Sequence, residues 1–289
     1  MTKFDPPKPA FLNPACQTRV MRRSPEGDSA AHRTIIHECA VAIVLNGTTV
    51  AVMMTSPLDI ADFAMGFVVT EGYLRNPADV EEFEIITHPS GLEARFWVNT
   101  ICADALKERR RSMLGPVGCG LCGIDSLEAA IRRVPPVRTH TCLSADVLRE
   151  GFEALRDEQH LHNATHSCHA AGFVTSENGL VVTREDVGRH NALDKLIGSL
   201  LTAGISPAEG AIIMTSRISV ELVQKAASVG CGILSGISGP SALAVETAAG
   251  AGMTLTGFHR CADFDVFCGE TRIVFERASI EILNDQRAC

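Results

Sequence analysis

The sequence predicts a layered α/β protein preceded by a smaller α+β unit. Beyond residue 136, strand and helix patterns alternate, as helices layered on a buried sheet require. Between residues 34 and 135 a β-rich hairpin, one helix and two further strand candidates occur together. With 289 residues, 46% of them hydrophobic, the chain can bury a core in each unit.

Residues 1–33 combine Pro6, Pro7, Pro9, Pro14 and Pro25 with scattered charge and no apolar period, so a disordered tail is expected there. Order begins near Thr34. "CAVAIVLNGTTVAVMMTS" reads as two strands joined at Asn46-Gly47, a dipeptide that tolerates positive φ at both turn positions. "SPLDIADFAMGFVVTEG" follows as a helix, with Pro57 near its first turn and Ile60, Phe63, Ala64, Phe67 and Val68 at helical spacing. Strands are expected near 83–87 and 94–101, and Asp125 with Glu128 forms a capping-box pattern that starts a helix. Pro135 and Pro136 mark the seam between a unit spanning 34–135 and a unit spanning 136–289. The second unit then reads as a helix near 144–160 and a hairpin, "AGFVTSENGLVVT". Helices "HNALDKLIGSLLTAG", "SVELVQKAASVG" and "SALAVETAAGAG" follow, interleaved with strands "GAIIMTS", "CGILS" and "MTLTGF".

Composition narrows the function classes. With 26 basic and 34 acidic side chains the net charge is −8, so no overall positive field draws the chain to nucleic acid or an anionic membrane. No apolar run approaches the roughly 18 residues of a membrane span, and the start lacks a signal-like apolar stretch, so a cytoplasmic location is expected. Eleven cysteines, an odd count in a chain able to build its own core, argue for reduced thiols rather than a disulfide framework. Cys39 and Cys231 adjoin apolar runs and read as small buried hydrophobes.

"GCGLCG", residues 118–123, fits two motifs. As G-x-G-x-x-G it would need a buried strand before it and an acidic residue about 20 positions later; "KERRRSMLGPV" precedes it and "RTHTCL" follows at that distance. As C-x-x-C it offers Cys119 and Cys122 in a loop of small residues, with Arg109, Arg110 and Arg111 nearby to favour thiolate. That spacing suits half a zinc site, a redox disulfide or a sulfur-carrying thiol with a partner, and does not choose among them. "HLHNATHSCH" holds His160, His162, His166, Cys168 and His169 and could supply further metal ligands. A zinc deaminase is excluded, because His169-Ala170-Ala171 lacks the glutamate that moves the proton.

An acidic protein that holds phosphates must use backbone amides at helix starts and a few placed cations. "TSRIS" follows the strand "GAIIM" and puts Ser216, Arg217 and Ser219 at a helix start, while "REDVGRHN" puts Arg184, Gly188, Arg189 and His190 at another. "GFHR" adds Arg260. The arginines equally suit a solvated face or ion pairs with Glu185 and Asp186; Asp194 and Lys195 read as helix-surface charges, and Phe258 as core. No Walker sequence occurs, so nucleotide hydrolysis is not expected.

"TREDVGRHNALDKLIG", together with "GCGLCG", "TSRISVELVQKAASVG" and "MTLTGFHR", resembles the formate dehydrogenase accessory sulfurtransferases, the FdhD family, from about Cys39 to Ile273. The resemblance implies a cytidine-deaminase-like larger domain, a homodimer, and a persulfide relay. Sulfur would come from a cysteine desulfurase and go to the molybdenum bis(guanine dinucleotide) cofactor that the formate dehydrogenase catalytic subunit requires. The cofactor would be bound as substrate, with a guanine nucleotide such as GDP as its mimic. The resemblance makes Cys119 the persulfide carrier and Cys122 its partner, either resolving the persulfide or shielding it. "FHRCAD" (Phe258, His259, Arg260, Cys261, Ala262 and Asp263) corresponds to the cofactor-contacting stretch, and "THSCHAA", with His169, to the family's glycine-histidine segment. "SGPS" at 238–241 and Cys168 depart from the family pattern. A non-catalytic cofactor chaperone whose C-x-x-C binds zinc or is structural is the rival reading.

Overall fold

The computed structural model describes residues 12–99, 134–260 and 263–275. In the smaller unit β3 (Cys39–Leu45) and β4 (Thr48–Thr55) pair antiparallel across Asn46-Gly47, whose φ values of 46° and 75° are the two positive angles such a turn needs. Helix α1 (Ile60–Thr70) starts three residues after Pro57, and β5 (Val80–His88) and β6 (Gly91–Val98) complete a sheet ordered β4-β3-β6-β5. Val41, Ile43 and Leu45 of β3 alternate onto the same face as Ala94 and Phe96 of β6. There they meet Phe63, Phe67 and Val68 of α1 in one buried cluster.

The larger unit is a six-stranded mixed sheet ordered β13-β12-β11-β10-β8-β9. Its strands are β8 (His169–Thr175), β9 (Gly179–Asp186), β10 (Ala211–Met214), β11 (Ile233–Gly236), β12 (Thr254–Arg260) and β13 (Asp263–Cys268). β10, β11 and β12 are mutually parallel, while β8 and β13 run against them. "AIIM" is apolar throughout because both sheet faces are covered. Ile212 and Met214 pack under α4 (Arg189–Thr202), α5 (Val220–Ser228) and α6 (Ala242–Gly250). Ala211 and Ile213 pack under α2 (Ala145–Asp157). The helix expected near 144–160 ends at Asp157; Gln159, at ψ 65°, breaks it from a short α3 (His160–Thr165). The short strands β7 (Leu143–Ser144) and β14 (Ile273–Val274) pair in parallel beside it.

Two expectations are corrected. Residues 15–36, expected within or at the end of a disordered tail, form an antiparallel ribbon of β1 (Ala15–Ser24) and β2 (Gly27–Ile36), paired from Ala15↔Ile36 to Ser24↔Gly27. None of its side chains is buried, so it carries no apolar alternation and left no period in the sequence. Asp194 and Lys195, expected on a helix surface, are buried where the two units meet.

At that seam α1 lies on α4 so closely that a Cβ at Gly66 would come within 1.8 Å of the Asp194 carbonyl oxygen, and one at Gly198 within 1.9 Å of the Asp62 carbonyl oxygen. Only glycine permits backbones to approach this far. Around the crossing, side chains of both units join. Asp186 accepts from the Ser56 amide and hydroxyl at 2.9 Å each, from Thr55 and from Asn191, and lies 2.7 Å from Lys195 Nζ. Lys225 reaches both oxygens of Asp194 at 2.9 Å, with Thr70 and Glu71 from α1 and its C-terminus completing the cluster. Arg184 joins the same seam through Asp62 and Ser199. These are ion pairs of the fold rather than ligand contacts.

Candidate functional site: one edge of the six-stranded sheet

Strand direction decides where the chemistry gathers. β10, β11 and β12 end at the same edge of the sheet at which antiparallel β8 begins and β9 ends. His169, Asp186 through His190, the 215–219 loop, the 237–241 loop and Phe258–Arg260 therefore share one rim. This is the rim where open α/β sheets take ligands. From β9 to β12 is four strand spacings, about 19 Å.

At two of the three helices leaving this rim, α4 and α5, the residue before the helix, Gly188 or Ser219, makes no side-chain cap, and in α5 the Glu221 carboxylate accepts from its own amide. Ser241 caps the third, α6, by accepting from Ala244. The two helix starts adjoin, since His190 Nε2 lies 3.5 Å from Ser219 Oγ and 3.6 Å from Glu221. Arg189, the first residue of α4, has a buried Nε with no hydrogen-bond partner among the described residues. A buried donor without an acceptor costs about 1–3 kcal/mol, and an anion at this helix start would satisfy it.

The imidazoles here are kept neutral. Burial, then the Arg189 charge, lowers the pKa of both His169 and His190. Burial alone would raise Glu221, but the Ser219 hydroxyl, its own backbone amide and His190 hold it below the usual carboxylate range. The positive charge facing the rim is thus arginine.

The remaining sequence candidates divide. Arg217 is exposed in the 215–219 loop, whereas Ser216 is buried and spends its hydroxyl on the Arg217 carbonyl at 3.0 Å. Phe258, expected in the core, is 42% exposed at φ 53°, with Arg260 lying 5.9 Å over its ring. A non-glycine residue at positive φ is uncommon and must be held by its surroundings. Here the ring lies against Gly239, where a Cβ would come within 2.4 Å of it. His259 points the other way. Its ring stacks on Phe264 at 4.6 Å and tilts against Phe152 at 4.3 Å, and Nε2 meets Ser235 and Thr256 hydroxyls at 2.7 and 3.1 Å. Asp263 opens β13, register-paired with Arg260. Cys261 and Ala262 lie outside the described residues, as do Cys119, Cys122 and the arginine run before them.

Cys168 is buried and donates to Glu185 Oε1 at 3.4 Å; burial, then the Glu185 charge, pushes its thiol far up, so it is no nucleophile. Glu185 itself accepts from the first amides of α3, Leu161 and His162. No cluster of three or more His, Cys, Asp or Glu able to hold a metal occurs among the described residues. Cys39 and Cys231 are buried, each raised to about 11 by burial, in keeping with packing roles. Among the described residues no helix is long and apolar enough to cross a membrane.

What fold and rim define is a mixed-sheet α/β protein with arginines and two adjoining helix starts on one sheet edge. Comparison with known proteins gives the lineage: residues 36–274 match the FdhD/NarQ family, and the chain belongs to it. The protein named sulfur carrier protein FdhD from Agrobacterium fabrum is 45% identical over 251 residues, covering 86% of this chain and 93% of that one. Its namesake from Bordetella petrii is 41% identical over 239 residues, 83% and 86% of the two chains. The crystal structure described as that of a formate dehydrogenase accessory protein from Desulfotalea psychrophila superposes with a TM-score of 0.74 at 25% identity, covering 90% of this chain and all of that one.

Proposed function

We propose that this chain is a cytoplasmic sulfur carrier, a homodimer that serves formate dehydrogenase. Cys119 takes sulfane sulfur from the persulfide of a cysteine desulfurase: the Cys119 thiolate attacks the terminal sulfur, a new S–S bond forms, and the donor leaves as thiolate. The acceptor is the molybdenum bis(guanine dinucleotide) cofactor, held as substrate while the Cys122 thiolate attacks the inner sulfur of the Cys119 persulfide, so that a Cys119–Cys122 disulfide forms and the outer sulfur leaves as sulfide to the metal. Cys122 stands three residues from the carrier as its partner. The larger unit, with helices on both faces of a mixed sheet, is consistent with the cytidine-deaminase kind of layering.

The observation that carries the reading is the rim: two adjoining helix starts whose preceding residues make no side-chain cap, one of them opened by Arg189, whose buried Nε has no hydrogen-bond partner among the described residues. Such a place suits pyrophosphate oxygens. Arg217, Arg260 and Phe258 stand on the same rim, where guanidinium and aromatic faces suit the second phosphate group and a guanine ring.

After incubation with a cysteine desulfurase and cysteine, peptide mass spectrometry is expected to find one added sulfur on the peptide carrying Cys119. Loading must vanish in C119A while GDP binding persists. Stoichiometric zinc on the C-x-x-C with no added sulfur would replace this reading with the cofactor chaperone.

A further inference from the structure

The β1–β2 ribbon is the least supported part of the described chain. It is two ten-residue strands, about 33 Å of extended chain, and every residue from Met21 to Ala30 is exposed. A lone two-stranded ribbon is marginal in water. Within one copy it packs along α3 and pairs with no third strand among the described residues. Its charge differs from that of the rest. Arg19, Arg22, Arg23 and Arg33 stand against Glu26 and Asp28, two positive charges net, so the remainder of a chain at −8 carries ten negative. Met21 and Ile35, 58% and 42% exposed, add apolar surface to it. The FdhD/NarQ match begins at residue 36, the last residue of the ribbon.

The complementary surface is the opposite edge of the small sheet. Among the described residues β5 is an edge strand with one unpaired side, and its sequence "VEEFEIITH" carries Glu81, Glu82 and Glu84 beside Ile85, which is 40% exposed. Open edges of this length invite another strand. An antiparallel alignment that sets Met21 beside Phe83 also sets Arg22 opposite Glu82 and Arg23 opposite Glu81, because side chains alternate with a period of two. Phe83 is partly buried against the small core, so Met21 would extend that core.

We propose that the ribbon of one copy adds its β1 strand to the β5 edge of a second copy, reciprocally, so that the two four-stranded sheets each gain an arm. A two-fold dimer with this contact uses each ribbon and each edge once. The proposal rests on the dimer in the reading above for stoichiometry alone, and sulfur loading of Cys119 can be measured without it.

Charge reversal tests it. In the full chain, R22E/R23E and E81R/E82R are each expected to raise the dimer dissociation constant by at least about tenfold in analytical ultracentrifugation. An equimolar mixture of the two must restore dimers. In that mixed pair each reversed ribbon meets a reversed edge, and each native ribbon a native one. Copies bearing R22C mixed with copies bearing E82C should give a disulfide joining the peptides that contain positions 22 and 82. A monomeric full chain at tens of micromolar overturns the proposal. So does a change below twofold in both variants, or a mixture that stays monomeric. A cross-link confined to one copy when both cysteines are placed in the same chain, with none between mixed copies, overturns it too.

Discussion

Lys195 Nζ lies 2.7 Å from Asp186 Oδ2 with both side chains wholly out of solvent, at the point where Ser56 of the smaller unit hydrogen-bonds to each. A buried pair is weak support for stability in itself, but breaking one strands a charge. Lys195→Met is therefore expected to destabilise the protein by about 3–5 kcal/mol, leaving Asp186 with its hydroxyl and amide donors and no counter-charge. Urea titration followed by circular dichroism measures this; a loss under 1 kcal/mol would mean that those donors alone satisfy Asp186.

The α1–α4 crossing should be as intolerant for a different reason. Gly66→Ala and Gly198→Ala each place a methyl group inside the opposing backbone, and the helices must separate along the seam. The expected cost is about 3 kcal/mol, at the upper end of overpacking. Gly250→Ala, whose added Cβ meets nothing within 4 Å, is the control and should leave stability unchanged or raise it by a few tenths of a kcal/mol. Thermal melting of the three variants separates packing from generic helix propensity.

Part of this was legible in the sequence and part could not be. Alternation of βα patterns and the Asn46-Gly47 turn are local signals, and both appear in the structure as read. That "VGRHN", "TSRIS" and "GFHR" meet at one rim needed the strand order and directions, which no single motif carries. Arg184, Asp194 and Lys195 were opaque as well. Their partners Asp62, Thr70 and Ser56 lie more than 120 residues away, and a charge on a strand or helix looks the same in sequence whether solvent or another domain faces it. Ser216 and His259 sit in readable motifs yet turn inward, which only the neighbouring Arg217 carbonyl and the Ser235 hydroxyl disclose.

Arg189 is the residue on which ligand affinity should turn. Arg189→Ala is expected to weaken GDP binding at least about tenfold, and the steepness of its salt dependence should fall because one cation is gone. Arg189→Lys should recover part of the affinity but not the loss of a fixed Nε donor. Calorimetric titration at two ionic strengths distinguishes these outcomes, and binding unchanged in both variants would remove the α4 helix start from the site.

Gly239 should control the exposed aromatic of the rim. A methyl group there overlaps the Phe258 ring, so Gly239→Ala must displace a side chain already held at positive φ. If Phe258 stacks on guanine, the variant loses GDP affinity about five- to tenfold with little change in melting temperature. Phe258→Ala should show the same loss, and the double variant no more than either alone, since both act through one ring.

His259 should set an acid limit to stability. Burial depresses its pKa from 6.5 to about 4, and between Phe152 and Phe264 the ring has no room for hydration of a cation. Above pH 6.5 the imidazole is neutral in both folded and unfolded chains and contributes nothing to the pH dependence. Below 6.5 the unfolded chain takes up a proton that the folded chain refuses until about pH 4, so stability falls across that interval and levels off beneath it. Because the ring is not wholly enclosed, the loss after discounting for screening is about 1–2 kcal/mol. His259→Gln keeps a hydrogen-bonding group toward Ser235 and cannot titrate. Its stability at pH 7 should fall by about 1 kcal/mol, while the difference between pH 7 and pH 4.5 shrinks by the His259 contribution. Denaturant titrations of both proteins at the two pH values give that difference directly, and equal pH slopes in wild type and variant would place the acid sensitivity elsewhere.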